Sequence, residues 1–199
     1  MKVLKALPLI LLFFTNIGLS SDTTQKYIQI SNQKQTESDK IVIYEFFWYG
    51  CPHCYNLEPT MGRIESNLEK DTILVKVPVA LRDTWESHAK AYYALQQMNL
   101  DDNLHEKIFT EIHINSNRLD TKEKLTQFIE DEGYNSKRFS EIFDSFGTDL
   151  RVKKASRLAN QYQITSVPTL IINGKYKTSG SFVSSYEELY DVVQLLINK

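Results

Sequence analysis

Cys51 and Cys54 are the only cysteines in a chain of 199 residues, and only Pro52 and His53 separate them. Two sulfurs at that spacing can close a small structural disulfide, supply half of a metal site, or exchange electrons with other thiols. The first use gains little, because closing so short a loop removes little entropy from the unfolded chain. The second needs partners. Zinc takes four ligands, and His53, His88, His105 and His113 stand at no spacing that pairs with the cysteines. Copper needs soft ligands, and Met61 is the only nearby methionine. The third use is favoured by the flanking residues. A helix starting at Pro52 would put Cys51 at its N-terminus, where unpaired backbone N–H groups and the helix dipole favour a thiolate. A protonated His53 beside it adds positive charge. The thiolate is the attacking species in exchange, and an acidic thiol is also the better leaving group. Stabilising it stabilises the dithiol, which makes the disulfide form an oxidant. A CxxC pair beside a βαβ pattern is the redox arrangement, although spacing alone leaves the structural and metal readings open.

The elements that must hold these sulfurs can be read around them. "KIVIYEFFWYG", residues 40–50, is β-branched and aromatic and predicts a buried strand. Leu57, Met61, Ile64 and Leu68 then recur at helical spacing, with Pro59 expected to kink the helix. "DTILVKVPVAL" is a second buried strand, with Pro78 at its end or on an edge. Strand, helix and strand in that order form a βαβ unit with parallel strands. From about Thr84 to Gln163 the pattern is helical almost throughout, with Asp120, Thr121 and Asn135 where caps belong and Gly133 where a helix closes. Two short strands joined at Asn173–Gly174 follow, and then an amphipathic helix. A single crossover needs only about 12–20 residues, so most of the 80-residue helical stretch is an inserted subdomain. Before the first long strand, "YIQI" offers a short strand or a draped arm.

Within the aromatic run, alternation sends Phe47 and either Phe46 or Trp48 to the core, while Trp48 and Tyr49 stand where they would border a peptide-binding surface. His88, His105 and His113 read as ordinary helix residues. Glu45 and Lys76 interrupt apolar strands that should be parallel neighbours. Buried charges of opposite sign must pair or shift their pKa.

At the start of the chain, Lys2 and Lys5 precede an apolar run from Ala6 to Phe14, with Gly18 and Ser20 as small residues beyond it. This predicts a secretory signal over residues 1–20, cleaved near Ser20, because a run of about ten apolar residues is too short to span a bilayer. No cysteine lies there to accept a lipid. Cleavage removes two lysines and no acid, leaving 21 basic against 25 acidic residues. That mildly acidic balance gives no electrostatic case for nucleic acid. Export leads to a compartment where disulfides persist, yet a domain stabilised by them would carry several pairs.

"FFWYGCPHCY" behind a strand, "SVPTLIINGKY" about 115 residues later, and a helical insertion between them resemble the DsbA family of thioredoxin-fold disulfide oxidants. The similarity covers essentially the whole chain after the leader, and CPHC is typical of that family where thioredoxins carry CGPC. The resemblance implies an α/β, thioredoxin-like fold over residues 21–83 and 164–199, with the helical subdomain over 84–163. It implies that Cys51 is the solvent-facing sulfur that substrate attacks and Cys54 the buried resolving sulfur, supported by Pro52 and His53. Val167–Pro168 matches a loop whose proline is cis and lies against the cysteines, leaving Val167 backbone groups for an extended substrate. Glu45, Lys76 and Glu58 would help move protons around Cys54. The implied activity is donation of the Cys51–Cys54 disulfide to reduced, newly exported polypeptides in a Gram-negative periplasm, without a bound cofactor. A quinone-linked membrane partner of the DsbB type would reoxidise a monomeric enzyme that has no membrane span after cleavage. Two alternatives stand beside it: a disulfide isomerase or reductase, and a metal-binding chaperone that uses the two thiolates without turnover.

Overall fold

The computed structural model describes residues 25–31 and 40–199. The predicted leader, 1–20, lies outside the described residues. β1 (Ile28–Gln29) is followed by β2 (Ile41–Phe47), α1 (Pro52–Ser66) and β3 (Thr72–Pro78). Five helices come next: α2 (Glu86–Met98), α3 (Asp101–His113), α4 (Lys122–Asp131), α5 (Ser136–Phe143) and α6 (Phe146–Gln161). β4 (Thr169–Ile172), β5 (Tyr176–Thr178) and α7 (Tyr186–Ile197) complete the chain. No helix among the described residues is long and apolar enough to cross a membrane.

The strands form one sheet in the order β1-β5-β4-β2-β3. β2 lies parallel to β3 and antiparallel to β4, so it is paired on both sides. Its side chains alternate between two covered faces. Ile43 packs with Leu57, Met61 and Ile64 of α1 and Leu189 and Val193 of α7. Phe46 packs on the opposite face with Ala155, Ala159 and Tyr162 around α6. Two-sided burial explains why β2 reads as a nearly continuous apolar run. β3 is an edge strand and ends at Pro78, where a missing donor costs nothing. The β4–β5 hairpin turns through Asn173 and Gly174, both at positive φ (51° and 63°), as a primed turn requires.

α2 to α5 enclose a third cluster, in which Leu95, Leu104, Ile108, Leu125 and Phe139 pack with Phe47, Tyr49 and both cysteines. The helical region thus shares its core with the redox motif. Local signals set these helices: Thr121 and Asn135 cap α4 and α5 by accepting from Lys124 N and Arg138 N. Asp120 accepts instead from the Lys124 ammonium at 2.7 Å. α1 runs from Pro52 to Ser66 with Pro59 inside it.

Candidate active site

Cys51 is the N-cap of α1 and Pro52 its first residue. Cys54 N and Tyr55 N donate to the Cys51 carbonyl, both at 3.1 Å, which closes the first helical turn around the sulfur. Cys51 N donates to Trp48 O at 3.0 Å and closes the preceding turn. Gly50 belongs there for steric reasons, since a Cβ would lie 2.3 Å from the Trp48 ring. That ring stacks on Trp85 at 4.1 Å.

The two sulfurs, both free thiols, sit in different surroundings. Cys51 keeps 7% of its exposure and Cys54 none. The resemblance implies a solvent-facing Cys51, but the structure buries most of it: the residue packs into the α2–α5 cluster, and its Sγ donates to the Val167 carbonyl at 3.5 Å. The Cys51 thiol is lowered to about 6, first by a hydrogen bond from the Cys54 thiol, which outweighs partial burial. Backbone N–H groups of Cys54 and His53 add to this, and the His53 charge contributes less than either. The direction argued from the helix start holds, but the neighbouring thiol and the amides lead. His53 itself is exposed, so water screens its charge. Burial pushes the Cys54 thiol far up, and the Cys51 sulfur and Glu45 push it further.

Three further sequence-predicted residues lie close together. Glu45 and Lys76 are register partners on β2 and β3, with Oε2 and Nζ 3.4 Å apart. Lys76 Nζ also donates to Glu58 Oε2 at 2.9 Å. Glu58 is four residues after Cys54 on α1, one turn along the same face. Glu45 is fully buried, and neither oxygen has a hydrogen-bond partner in addition to the ion pair. Burial raises its pKa to about 7 against the pull of Lys76. Burial works against the Lys76 charge too, but two carboxylates outweigh it and hold the ammonium above its usual value. For Glu58, His105 and Lys76 outweigh burial and keep the carboxyl low.

Val167–Pro168 is a cis peptide. Both residues line a cavity of about 590 Å³ next to the motif, with His53, Ser166, Ser181 and Tyr186. The Tyr186 hydroxyl donates to the His53 carbonyl at 3.1 Å and ties α7 to the start of α1.

A family model for the DSBA-like thioredoxin domain matches residues 80–191. The thiol:disulfide interchange protein DsbA of Pseudomonas aeruginosa is 32% identical over 176 residues, 88% of this chain and 83% of that protein. The chain belongs to the DsbA family. The thiol:disulfide interchange protein DsbA of Pseudomonas syringae pv. tomato is 34% identical over 160 residues, covering 80% of this chain and 75% of that one. The crystal structure of Pseudomonas aeruginosa DsbA superposes with a TM-score of 0.83 over 87% of this chain and 91% of that chain, at 32% identity. As a DsbA-family protein with a thioredoxin-like fold, the chain is a thiol:disulfide oxidoreductase.

Sequence reasoning misjudged two parts of this DsbA-family site. Tyr49 was expected to border a surface, yet it is fully buried, because its ring packs edge-on against Phe47 and Phe109. His105 read as an ordinary helix residue, yet its Nε2 lies 3.1 Å from Lys76 Nζ and 3.2 Å from Glu58 Oε2. Its partners come from elements 29 to 56 residues away, so no local spacing betrays it. The available signal was weak: His105, Phe109 and His113 recur every four residues along one side of a helix.

Proposed function

We propose that the protein is an oxidant, donating a Cys51–Cys54 disulfide to reduced polypeptides. A substrate thiolate attacks Cys51 Sγ, forms a mixed disulfide, and breaks the Cys51–Cys54 bond. The Cys54 sulfur leaves with the electron pair and takes up a proton, which its high pKa favours. A second substrate thiolate then attacks the substrate sulfur of the mixed disulfide. Cys51 leaves as a thiolate, the substrate gains a disulfide, and the enzyme holds two more electrons. The supporting observation is the asymmetry of the pair: one thiol acidic near pH 6, the other pushed far up. An acidic Cys51 is both the better leaving group and the stabiliser of the reduced enzyme.

The remaining residues fit that cycle. Once Cys51 is joined to Cys54 it has no hydrogen for the Val167 carbonyl, which frees that acceptor for an extended substrate along the cavity beside cis-Pro168. Glu45, with a pKa near 7, Lys76 and Glu58 would handle the Cys54 proton. The α2–α5 core cluster, which also takes in Phe47, Tyr49 and both cysteines but is distinct from the clusters around Ile43 and Phe46, supports a division into a thioredoxin-like unit, 21–83 and 164–199, and an inserted subdomain, 84–163. A leader over 1–20 makes the periplasm of a Gram-negative bacterium the working compartment. Newly exported proteins are then the substrates, and a DsbB-type quinone-linked membrane protein is the reoxidant. Equilibration of the mature protein with glutathione buffers tests the direction of electron flow. The expected potential lies well above thioredoxin's, about −270 mV; a value that reducing overturns the proposal.

A further inference from the structure

Three of the four histidines lie outside the redox motif, on α2 and α3, and all three converge on the residues that lead into it. His105 Nδ1 is 2.9 Å from the Tyr49 hydroxyl. His113 Nε2 donates to the Tyr49 carbonyl at 2.7 Å. One helix therefore holds a single residue by its side chain and by its main chain. Between the two histidines, Phe109 packs against the Tyr49 ring with centroids 5.0 Å apart. From α2, His88 stands edge-on to the same ring at 6.0 Å, with its Nε2 engaged by the carbonyls of Arg118 and Leu119. His113 also stacks on Tyr55 at 5.1 Å, and Tyr55 N donates to the Cys51 carbonyl. α3 thus grips the turn before Cys51 directly and the turn after it through Tyr55.

His105 faces a second set of partners with its other nitrogen. Lys76 has only hydrogens to offer, so it needs a lone pair at Nε2, whereas a Glu58 carboxylate needs N–H there. When Nε2 accepts from Lys76, Nδ1–H donates to the Tyr49 oxygen. When Nε2–H donates to Glu58, Nδ1 accepts the hydrogen of Tyr49. Burial keeps that hydroxyl protonated, so it can serve either way. The Tyr49 hydrogen bond survives both tautomers, and its direction follows the charged pair on β3 and α1.

We propose that His105 and His113 are positioning residues for thiol–disulfide exchange: they fix Tyr49, and with it the turn that presents Cys51, and His105 joins that turn to the Lys76–Glu58 pair. The proposal rests on exchange at Cys51–Cys54. A merely structural role would lower the stability of both redox forms alike and leave their balance untouched. A positioning role moves the balance.

The test uses Tyr49→Phe, His105→Gln and His105→Asn in the full chain. Each is measured by its equilibrium constant with glutathione and by thiolate absorbance at 240 nm. An asparagine amide falls near the position of Nδ1 and keeps a partner for Tyr49; a glutamine amide falls near Nε2 and does not. Tyr49→Phe and His105→Gln should shift the constant about three- to tenfold, the range of one ordinary hydrogen bond, and move the Cys51 midpoint upward. His105→Asn should shift both less than His105→Gln. Constants unchanged in Tyr49→Phe and His105→Gln overturn the proposal, as does an Asn shift equal to or larger than that of Gln. Equal losses of melting temperature in both redox forms, with the constant unmoved, also overturn it. Should these variants not fold, His113→Leu and His113→Gln carry the same test at the carbonyl end: Leu should shift the constant more than Gln, which keeps a donor, and equal constants overturn the role. Wild-type protein that fails to exchange with glutathione sinks the proposed function itself. Wild-type exchange that the variants match sinks only the positioning role.

Discussion

Beside Cys51 the chain leaves a cavity of about 590 Å³ lined by Val167, Pro168, serines and Tyr186, with His53 and no acid, lysine or arginine among its lining residues. On the other side of α1 lies a groove of about 1100 Å³ whose walls carry Glu58, Lys76, His105, Asp101, Asp102 and Glu106. In the proposed cycle the cis-proline side offers backbone and hydroxyl groups to an incoming chain. The other side gathers ionisable groups, and the proposed cycle assigns to it the proton that follows each sulfur–sulfur exchange. One helix divides the two tasks: its first residues carry the sulfurs, and Glu58, one turn later, joins the charged side.

The largest effect separates the sulfurs themselves. Cys51→Ser should abolish exchange, whereas Cys54→Ser should leave a protein that captures substrate and cannot release it by internal attack. Non-reducing electrophoresis with a disulfide-bonded substrate, which the Cys51 thiolate opens by displacing one substrate sulfur as a thiolate, reads the adduct; equal capture by both variants would break the assigned asymmetry.

Next in size is the charged side. Lys76→Met leaves Glu45 buried without its cation, which should cost about 3–5 kcal/mol at pH 8, the range for breaking a buried ion pair. Glu45 has a folded pKa near 7, above the ordinary 4.5, so it binds a proton more readily folded than unfolded. Its ionisation therefore costs stability progressively as pH rises from about 4.5 to 7. The Lys76→Met penalty should accordingly shrink at pH 5, where Glu45 is protonated. Denaturant melts at the two pH values check this, and equal penalties contradict it.

A smaller change sharpens the proton assignment. Glu45→Gln should flatten the pH dependence of the exchange rate around pH 7 while keeping the fold. A profile identical to wild type removes Glu45 from the proton path. Smallest of all, Tyr186→Phe deletes one exposed hydrogen bond on the cis-proline side, and its effect on stability should stay within about 0.5 kcal/mol.

How much of this was legible in the sequence depended on distance along the chain. The CPHC motif, the Pro52 start of α1, the Asn173–Gly174 turn and the Thr121 and Asn135 caps are local, and their residue types state their geometry. Glu45 and Lys76 were legible as a pair because each breaks an apolar run and parallel strands align them. Tyr49 and His105 were not. Aromatic and imidazole side chains belong equally well to cores and surfaces, and only the docking of α3 against the turn, 56 residues away, decides between them. The rank of effects on Cys51 was hidden for a similar reason: His53 is conspicuous in sequence, while the Cys54 thiol and the amides act through distances that only the folded turn sets.

A single titration bears most directly on the two unequal sulfurs. Thiolate absorbance of the reduced protein at 240 nm, followed from acid to alkaline pH, should rise once, with a midpoint near 6 from Cys51, and show no second step from Cys54 while the protein stays folded. A midpoint near the ordinary thiol value of 9, or two overlapping steps of equal height, would contradict the account.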